Sequence, residues 1–208
     1  GQNTYGQLGH GTFTSRNIPV QVGTDTTWRS VAAGYNHNLA LKSNGTLWAW
    51  GTNYAGQLGN GTFIEHNTPV QVGADTAWAS VATGQYHTIA IKTDSTLWSW
   101  GQNTYGQLGD GTSANRNAPF KIGTGWLQVA GGGYHTVAIK TDGTLWAWGN
   151  NAEGQLGDGT NINKYILIQI GSDNTWSAVA AGLRHTVALK TNGTLWAVTR
   201  NEDGDASG

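Results

Sequence analysis

Short stretches in which apolar and polar residues alternate recur along the whole chain, separated by segments rich in glycine, asparagine and threonine. In the first part of the chain these stretches are residues 19–22, 28–33, 37–42 and 47–50. Alternation with a period of two is typical of half-buried β-strands, and no useful length of sequence has the 3.6-residue period of a helix. The pattern therefore predicts an all-β chain with almost no helix.

The third and fourth stretches are joined by a pair of residues that favours a tight hairpin turn. Asn-Gly or Asp-Gly between alternating runs is a strong hairpin signal, because the central residues of the favoured turn need positive φ angles. Three pairs meet this requirement: Asn44-Gly45, Asp142-Gly143 and Asn192-Gly193. The fourth pair, Asp94-Ser95, has a side chain where glycine is expected, and we predict that it forms the most strained of the four turns.

The whole unit is repeated four times. The tetrapeptide GQLG recurs at residues 6–9, 56–59, 106–109 and 154–157, with spacings of 50, 50 and 48 residues. The last spacing is two residues shorter because the connection between Gly123 and Trp126 is shorter than its counterparts in the other repeats. A period near 50 suits a four-stranded propeller blade and is too long for ankyrin or leucine-rich units. We therefore predict a single propeller domain or half-domain over 1–208, with repeats at about 1–50, 51–100, 101–148 and 149–198 and a degenerate tail at 199–208.

Three motifs carry a family resemblance: N-x-x-G-Q-L-G-x-G-T, V-A-x-G-x-x-H-x-x-A-[LI]-K and G-x-L-W-x-W-G. Together they are similar to the repeat of the regulator of chromosome condensation family, over nearly all of the 208 residues. The resemblance implies a β-propeller, usually seven-bladed, with one blade per repeat. It implies little about function, because members range from a nucleotide exchange factor to a photoreceptor and a secreted β-lactamase inhibitor.

Four blades do not close a ring of this kind. Each blade of a seven-membered ring takes about 51° of the circle, so four cover only slightly more than half. Three arrangements remain: two chains that complete an eight-bladed ring, one chain compressed into a four-bladed ring, or a piece of a longer protein. We expect the first, a homodimer in which residues 1–9 fill the slot left by the decayed copy at 199–208.

Composition narrows the classes of partner. Charged residues make up 11% of the chain and the net charge is −1, so no basic field attracts nucleic acid. No apolar run approaches the length needed to span a bilayer, and a membrane is not an expected partner either. Cysteine is absent. The high content of Gly, Thr, Asn and Trp slightly favours a secreted or cell-surface bacterial protein, although the sequence leaves the compartment open.

Tryptophan and histidine recur at fixed positions, which favours a structural role. The tryptophans expected to pack between blades are Trp48, Trp50, Trp98, Trp100, Trp146 and Trp148. Light sensing, as in the photoreceptor of the family, would require a charged dimer face that this chain lacks. The repeated histidines, expected to tie a strand to a neighbouring loop, are His37, His87, His135 and His185. A metal at the ring axis is the alternative, but no carboxylates follow the same spacing, so no metal is predicted.

Catalytic chemistry has no visible basis in the sequence. No serine or threonine recurs with a histidine and an acid in a nucleophile arrangement. The GQLGxG segment lacks the lysine and the helix of a phosphate-binding loop, so turn geometry explains its glycines better. We therefore predict no catalytic residue and no cofactor.

The repeats disagree at two sets of loop positions, and binding residues gather on loops held by a rigid scaffold. The candidate partner-binding residues are Phe13, Arg16, Tyr35, Phe63, His66, Tyr86, Arg116, Tyr134, Lys164 and Arg184. Drift at tolerant loops is the alternative explanation. We expect a non-enzymatic scaffold for protein–protein interaction or self-assembly, with itself and another protein as candidate partners. A secreted inhibitor or ligand-binding module is the alternative, and guanine-nucleotide exchange ranks lower because no inserted wedge or charged loop is present.

Overall fold

The computed structural model describes residues 1–198, which contain fifteen β-strands and no helix. Within that range there is accordingly no helix of the length and apolar character that crossing a membrane requires. The predicted degenerate tail at 199–208 lies outside the described residues. The all-β character expected from the alternating pattern is confirmed.

The strands form four antiparallel sheets, in each of which neighbouring strands are also consecutive in the chain. The first sheet consists of β1 (Trp28–Ala33), β2 (His37–Lys42), β3 (Leu47–Gly51) and β4 (His66–Gln71). The second consists of β5 (Trp78–Thr83), β6 (His87–Lys92), β7 (Leu97–Gly101) and β8 (Arg116–Gly123). The third consists of β9 (Trp126–Gly131), β10 (His135–Lys140), β11 (Leu145–Gly149) and β12 (Lys164–Gln169). The fourth has three strands, β13 (Trp176–Ala181), β14 (Thr186–Lys190) and β15 (Leu195–Val198).

The outer strand of each four-stranded sheet comes from the following sequence repeat. In the first sheet, for example, β4 lies beyond the GQLG tetrapeptide at 56–59 and pairs back onto β3, with Ala49 opposite Val70. Residues 19–22, predicted as a strand, are the counterpart of the end of β4 and form no strand. The physical reason is that a strand needs a neighbour to accept its backbone hydrogen bonds, and residues 1–198 provide none there.

The hairpin turns differ in one respect from the prediction that both central residues have positive φ angles: among residues 1–198, Asn44, Asp142 and Asn192 do not, and only the second residue of each pair does. Gly45, Gly143 and Gly193 have φ angles of 78°, 82° and 83°. Ser95 adopts the same conformation with φ 61°, and it is the one non-glycine residue with a positive φ in residues 1–198. The serine thus takes the left-handed conformation at the turn predicted to be the most strained, and a Cβ atom makes that conformation unfavourable.

The apolar core lies between successive sheets. Leu39, Leu41 and Leu47 of the first sheet pack against Trp78 and Trp100 of the second. The second and third sheets, and the third and fourth, are joined by clusters of the same kind. Burial of these large side chains is the main favourable term that holds one sheet against the next.

Candidate functional site

A buried asparagine holds each GQLG loop in shape. The side-chain oxygen of Asn53 accepts a hydrogen bond from the backbone N–H of Leu58 (2.9 Å), and its amide group donates to the carbonyls of Thr62 (3.1 Å) and Ile64 (3.0 Å). The same arrangement recurs around Asn3, Asn103 and Asn151. The variable loop after GQLG therefore begins from a fixed frame, which is what a binding loop needs.

In each sheet a lysine lies over a tryptophan, which in the first three sheets is the first residue of the W-x-W pair. The ammonium group of Lys42 is 3.9 Å from the ring centroid of Trp48 and 2.5 Å from the carboxylate of Asp25. Equivalent trios are Lys92, Trp98 and Asp75, and Lys190, Trp196 and Asp173. The hydrogen bond from Lys190 is the main cause that lowers the pKa of Asp173 to about 2. In the third sheet Lys140 covers Trp146 at 4.1 Å but has no ion pair within residues 1–198, because the connection that would bring the carboxylate is two residues shorter.

The repeated histidines link one sheet to the next. His87 Nε2 is 3.0 Å from the hydroxyl of Thr136, which in turn donates to the carbonyl of Gln107 (2.9 Å). Since the hydroxyl gives its proton to that carbonyl, it accepts from an Nε2–H tautomer. Corresponding links join His37 to Thr88 and His135 to Thr186. His185 is exposed, and residues 1–198 contain no following sheet that would receive it.

Burial keeps three of these imidazoles neutral. It lowers the pKa of His87 to about 3 and the pKa values of His37 and His135 to about 4. Within residues 1–198 no group of three or more His, Cys, Asp or Glu side chains is placed to hold a metal ion. Three of the four repeated histidines, His37, His87 and His135, therefore form hydrogen bonds between sheets.

Five tyrosines form a surface that we call the tyrosine face, defined by Tyr35, Tyr54, Tyr86, Tyr105 and Tyr134. The ring of Tyr86 is 5.7 Å from that of Tyr35 and 5.3 Å from that of Tyr54. Tyr105 and Tyr134 are 5.2 Å apart. Burial raises the pKa values of Tyr54 and Tyr134, so both hydroxyls stay neutral at physiological pH. Aromatic surface with neutral hydroxyls is the composition typical of protein-binding sites.

A cavity of about 360 Å³ opens beside this face. Tyr105 and Tyr134 line one part of it, and Leu183 and Arg184 line another. The guanidinium of Arg184 is 3.5 Å from the carboxylate of Glu153. Of the predicted loop residues, the fold thus brings Tyr134 and Arg184 to one cavity and places Tyr35 and Tyr86 in contact. Sequence reasoning missed Tyr54 and Tyr105, although a tyrosine recurs just before GQLG in three of the four repeats.

The other predicted loop residues make contacts within or beside their own loops. Arg116 is paired with Asp110 at 2.5 Å and its guanidinium lies over Phe120, and Lys164 is paired with Asp158 at 3.0 Å. Of the four residues that remain, His66 has its Nε2 3.0 Å from the amide nitrogen of Asn60, and Phe13 and Phe63 are exposed. Arg16 is also exposed, and its backbone N–H donates to the carbonyl of Gly1.

The two ends of the array expose apolar side chains whose counterparts in other sheets are buried. Leu195 on β15 is 70% exposed, whereas its counterparts Leu47 and Leu97 are fully buried. At the other end, Val31 on β1 is 75% exposed, whereas its counterpart Val179 is 7% exposed. Within residues 1–198, β15 pairs with β14 alone. Both ends therefore expose apolar side chains on the described part of the chain.

These features define a repeat propeller, with antiparallel sheets joined by tryptophan packing and histidine–threonine links. A family model described as RCC1-like domain matches residues 1–207, and the chain belongs to that family. The human protein WBSCR16 is similar in structure, with a TM-score of 0.82 and 28% identity over 96% of this chain and 56% of that one. Yeast RCC1 (Prp20), solved bound to Kap60, has a TM-score of 0.80 and 23% identity over 91% of this chain and 48% of that one. The chain spans about half the length of these relatives.

Proposed function

We propose that the chain is a non-enzymatic propeller scaffold that assembles with a second copy of itself into an eight-bladed ring. The observation that carries the proposal is the contrast between Leu195, which is exposed, and Leu47, Leu97 and Leu145, which are buried by a following sheet. A contiguous apolar surface of this kind favours association. A four-bladed ring within one chain and a longer chain with further repeats are the alternatives.

The interior sheets supply the register of the proposed junction. Trp48 lies opposite Gln71 in the first sheet, and the N–H of Val72 donates to the carbonyl of Leu47. By the same register, residues 16–22 of the second copy would pair with β15 as its missing fourth strand. Ala197 would lie opposite Val20 of the second copy, and the exposed Ile18 and Val20 would become part of a sheet.

The histidine links would continue across this junction. In the first sheet Asn38 stands where the other sheets have threonine, and its amide group donates to the carbonyl of Gln7 (2.7 Å). The amide oxygen of Asn38 receives no hydrogen bond from residues 1–198, so it is available to accept one. His185 of one copy would donate its Nε2–H to Asn38 of the other. All sheets run the same way round a propeller, so two such junctions would be related by a twofold axis along the ring axis.

The experiment compares two charge substitutions at exposed positions by sedimentation velocity. Leu195→Asp should convert the dimer to a monomer, because the carboxylate would be buried in the completed interface without a partner. Ile64→Asp is the matched control, since Ile64 is equally exposed on a variable loop and should leave the dimer intact. A wild-type chain that sediments as a monomer, or a Leu195→Asp variant that stays dimeric, contradicts the proposal.

Binding of another protein at the tyrosine face is the second candidate function. Clustered tyrosines beside an exposed arginine resemble the anchors that carry most of the energy at protein interfaces. The yeast relative Prp20p binds Gsp1p and histones, which supports a protein as the class of partner. Tyr35→Ala and Tyr134→Ala should abolish capture of the partner without lowering thermal stability, and Ile64→Ala, at an exposed loop position outside the tyrosine face, is the control. Capture that survives both tyrosine substitutions contradicts this second function.

A further inference from the structure

The interface between the third and fourth sheets lacks a tryptophan that the earlier sheets possess. Trp100 and Trp148 are fully buried, and each packs against a second tryptophan. The ring centroids of Trp100 and Trp78 are 5.9 Å apart, and those of Trp148 and Trp126 are 6.0 Å apart. The fourth sheet has Val198 at this position. A valine replaces only part of the volume of an indole ring, so space remains where the ring would lie.

The space is a cavity of about 260 Å³ with mainly apolar walls. Leu145 and Leu156 line one side, and Trp176, Trp196 and Val198 line the other. An engineered apolar cavity of about 150 Å³ is enough to bind benzene. The cavity is therefore large enough for a planar bicyclic ring, and the half-exposed Trp196 places it at the surface, where a small molecule has a way in.

The backbone carbonyl that accepts a hydrogen bond from the indole in the third sheet has a counterpart in the fourth. In the third sheet the carbonyl of Gln107 accepts two hydrogen bonds, from the hydroxyl of Thr136 (2.9 Å) and from Trp148 Nε1 (2.9 Å). In the fourth sheet the carbonyl of Gln155 accepts from the hydroxyl of Thr186 (2.8 Å) and from no indole within residues 1–198. A carbonyl oxygen has two lone pairs, and among residues 1–198 the carbonyl of Gln155 accepts one side-chain hydrogen bond, from Thr186, which lines the cavity.

An aromatic contact is missing as well. Trp78 and Trp126 each contact both tryptophans of their own sheet. Trp176 contacts Trp196 at 6.1 Å and has no second aromatic neighbour in the described part of the chain. Asp173, which lines the cavity, is paired with Lys190. The two charges balance each other, so a neutral ligand fits the cavity.

We propose that this cavity is a binding site for a neutral planar aromatic molecule of indole size that carries one N–H donor. The ring lies against Trp176 as Trp148 lies against Trp126, and the N–H donates to the carbonyl of Gln155. The residues that line the site belong to two sheets of the same chain, so none of them comes from a second copy.

Isothermal titration calorimetry of the full chain with indole tests the proposal. Indole should bind saturably with one site per chain, and benzofuran, which has the same shape without the N–H, should bind roughly tenfold more weakly. Val198→Trp fills the cavity from within the chain and should abolish indole binding. Ile64→Trp is the matched control, because it adds the same side chain to an exposed loop and should leave binding unchanged.

Three results would overturn the proposal: no saturable binding up to the solubility of indole, binding unaffected by Val198→Trp, or equal binding of benzofuran. A smaller substitution guards against a variant that fails to fold. Val198→Phe fills part of the cavity and should weaken indole binding, and a folded Val198→Phe chain that binds indole as the wild type does would also overturn it.

Discussion

The glycines of the hairpin turns offer a test in which the same substitution should have unequal effects. Gly45 and Gly193 have nearly the same backbone conformation, with φ angles of 78° and 83°. A Cβ atom at Gly45 would overlap the carbonyl oxygen of Thr76, well under the 3.0 Å that real Cβ contacts keep, whereas at Gly193 it would meet nothing within 4 Å. The two turns therefore share the cost of the left-handed conformation and differ in the clash.

The magnitudes follow from these two contributions. Alanine in the left-handed region costs about 1 kcal/mol relative to glycine, and this cost applies at both sites. At Gly45 the overlapping carbonyl must also retreat, although it belongs to a segment fixed by the hydrogen bond from Trp78 N–H to the Gly45 carbonyl (3.2 Å). Overpacking of this kind costs about 1–3 kcal/mol. Gly45→Ala should therefore lower the free energy of unfolding by about 2–4 kcal/mol, and Gly193→Ala by about 1 kcal/mol.

Urea unfolding followed by tryptophan fluorescence measures both values in one set of conditions. Gly143→Ala extends the comparison, because a Cβ atom there would overlap the carbonyl oxygen of Asn174. It should resemble Gly45→Ala. Equal losses at Gly45 and Gly193 would refute the reasoning, since they would show that the neighbouring connection yields without cost.

Three further predictions concern the Ser95 turn, the three buried histidines and the buried asparagine of the GQLG loops. Ser95→Gly should raise the urea midpoint slightly, because relief of the positive φ exceeds the added freedom of the unfolded chain; a lower midpoint would contradict the strain assignment. Burial lowers the pKa values of His37, His87 and His135 to about 4, 3 and 4, below the value of about 6.5 expected when unfolded. The unfolded chain then binds more protons, so the contribution of the neutral histidines to the free energy of unfolding is complete above pH 6.5 and falls by up to about 4 kcal/mol per pH unit towards pH 4. His87→Gln should reduce the slope of the free energy of unfolding against pH by about a third. An unchanged slope would contradict the assignment of His87 as a buried neutral histidine. Asn103→Ala leaves buried backbone groups without partners and should lower the free energy of unfolding by about 3 kcal/mol in the same assay. A loss below about 1 kcal/mol would contradict the conclusion that this asparagine holds the GQLG loop in shape.

Local signals accounted for the strands and turns, because these depend on residues close together in the chain. The alternating runs and the Asn-Gly and Asp-Gly pairs predicted the hairpins, and Ser95 stood out as the exception. The sequence did not show that the outer strand of each four-stranded sheet comes from the following repeat. The reason is that β4 pairs with β3 across a long loop, and no local pattern encodes that pairing. The same limit explains the wrong prediction for residues 19–22, which pair with no strand within residues 1–198 of their own chain.

The candidate site was predicted in part. Tyr35, Tyr86, Tyr134 and Arg184 were singled out because the repeats vary there, and the fold brings them to one face and its cavity. Tyr54 belongs to the near-constant GQLG region, so variation between repeats could not identify it. The sequence showed that Val198 replaces a tryptophan, but the cavity and the position of the Gln155 carbonyl depend on how two sheets pack.

The mass of the chain in solution, measured by light scattering on a sizing column, tests the proposed ring most directly. Completion of the ring by a second copy predicts about 44 kDa, twice the 22.0 kDa of one chain. A value near 22.0 kDa that does not change with concentration would contradict it. The apolar surfaces at Val31 and Leu195 would then have to be covered in some other way.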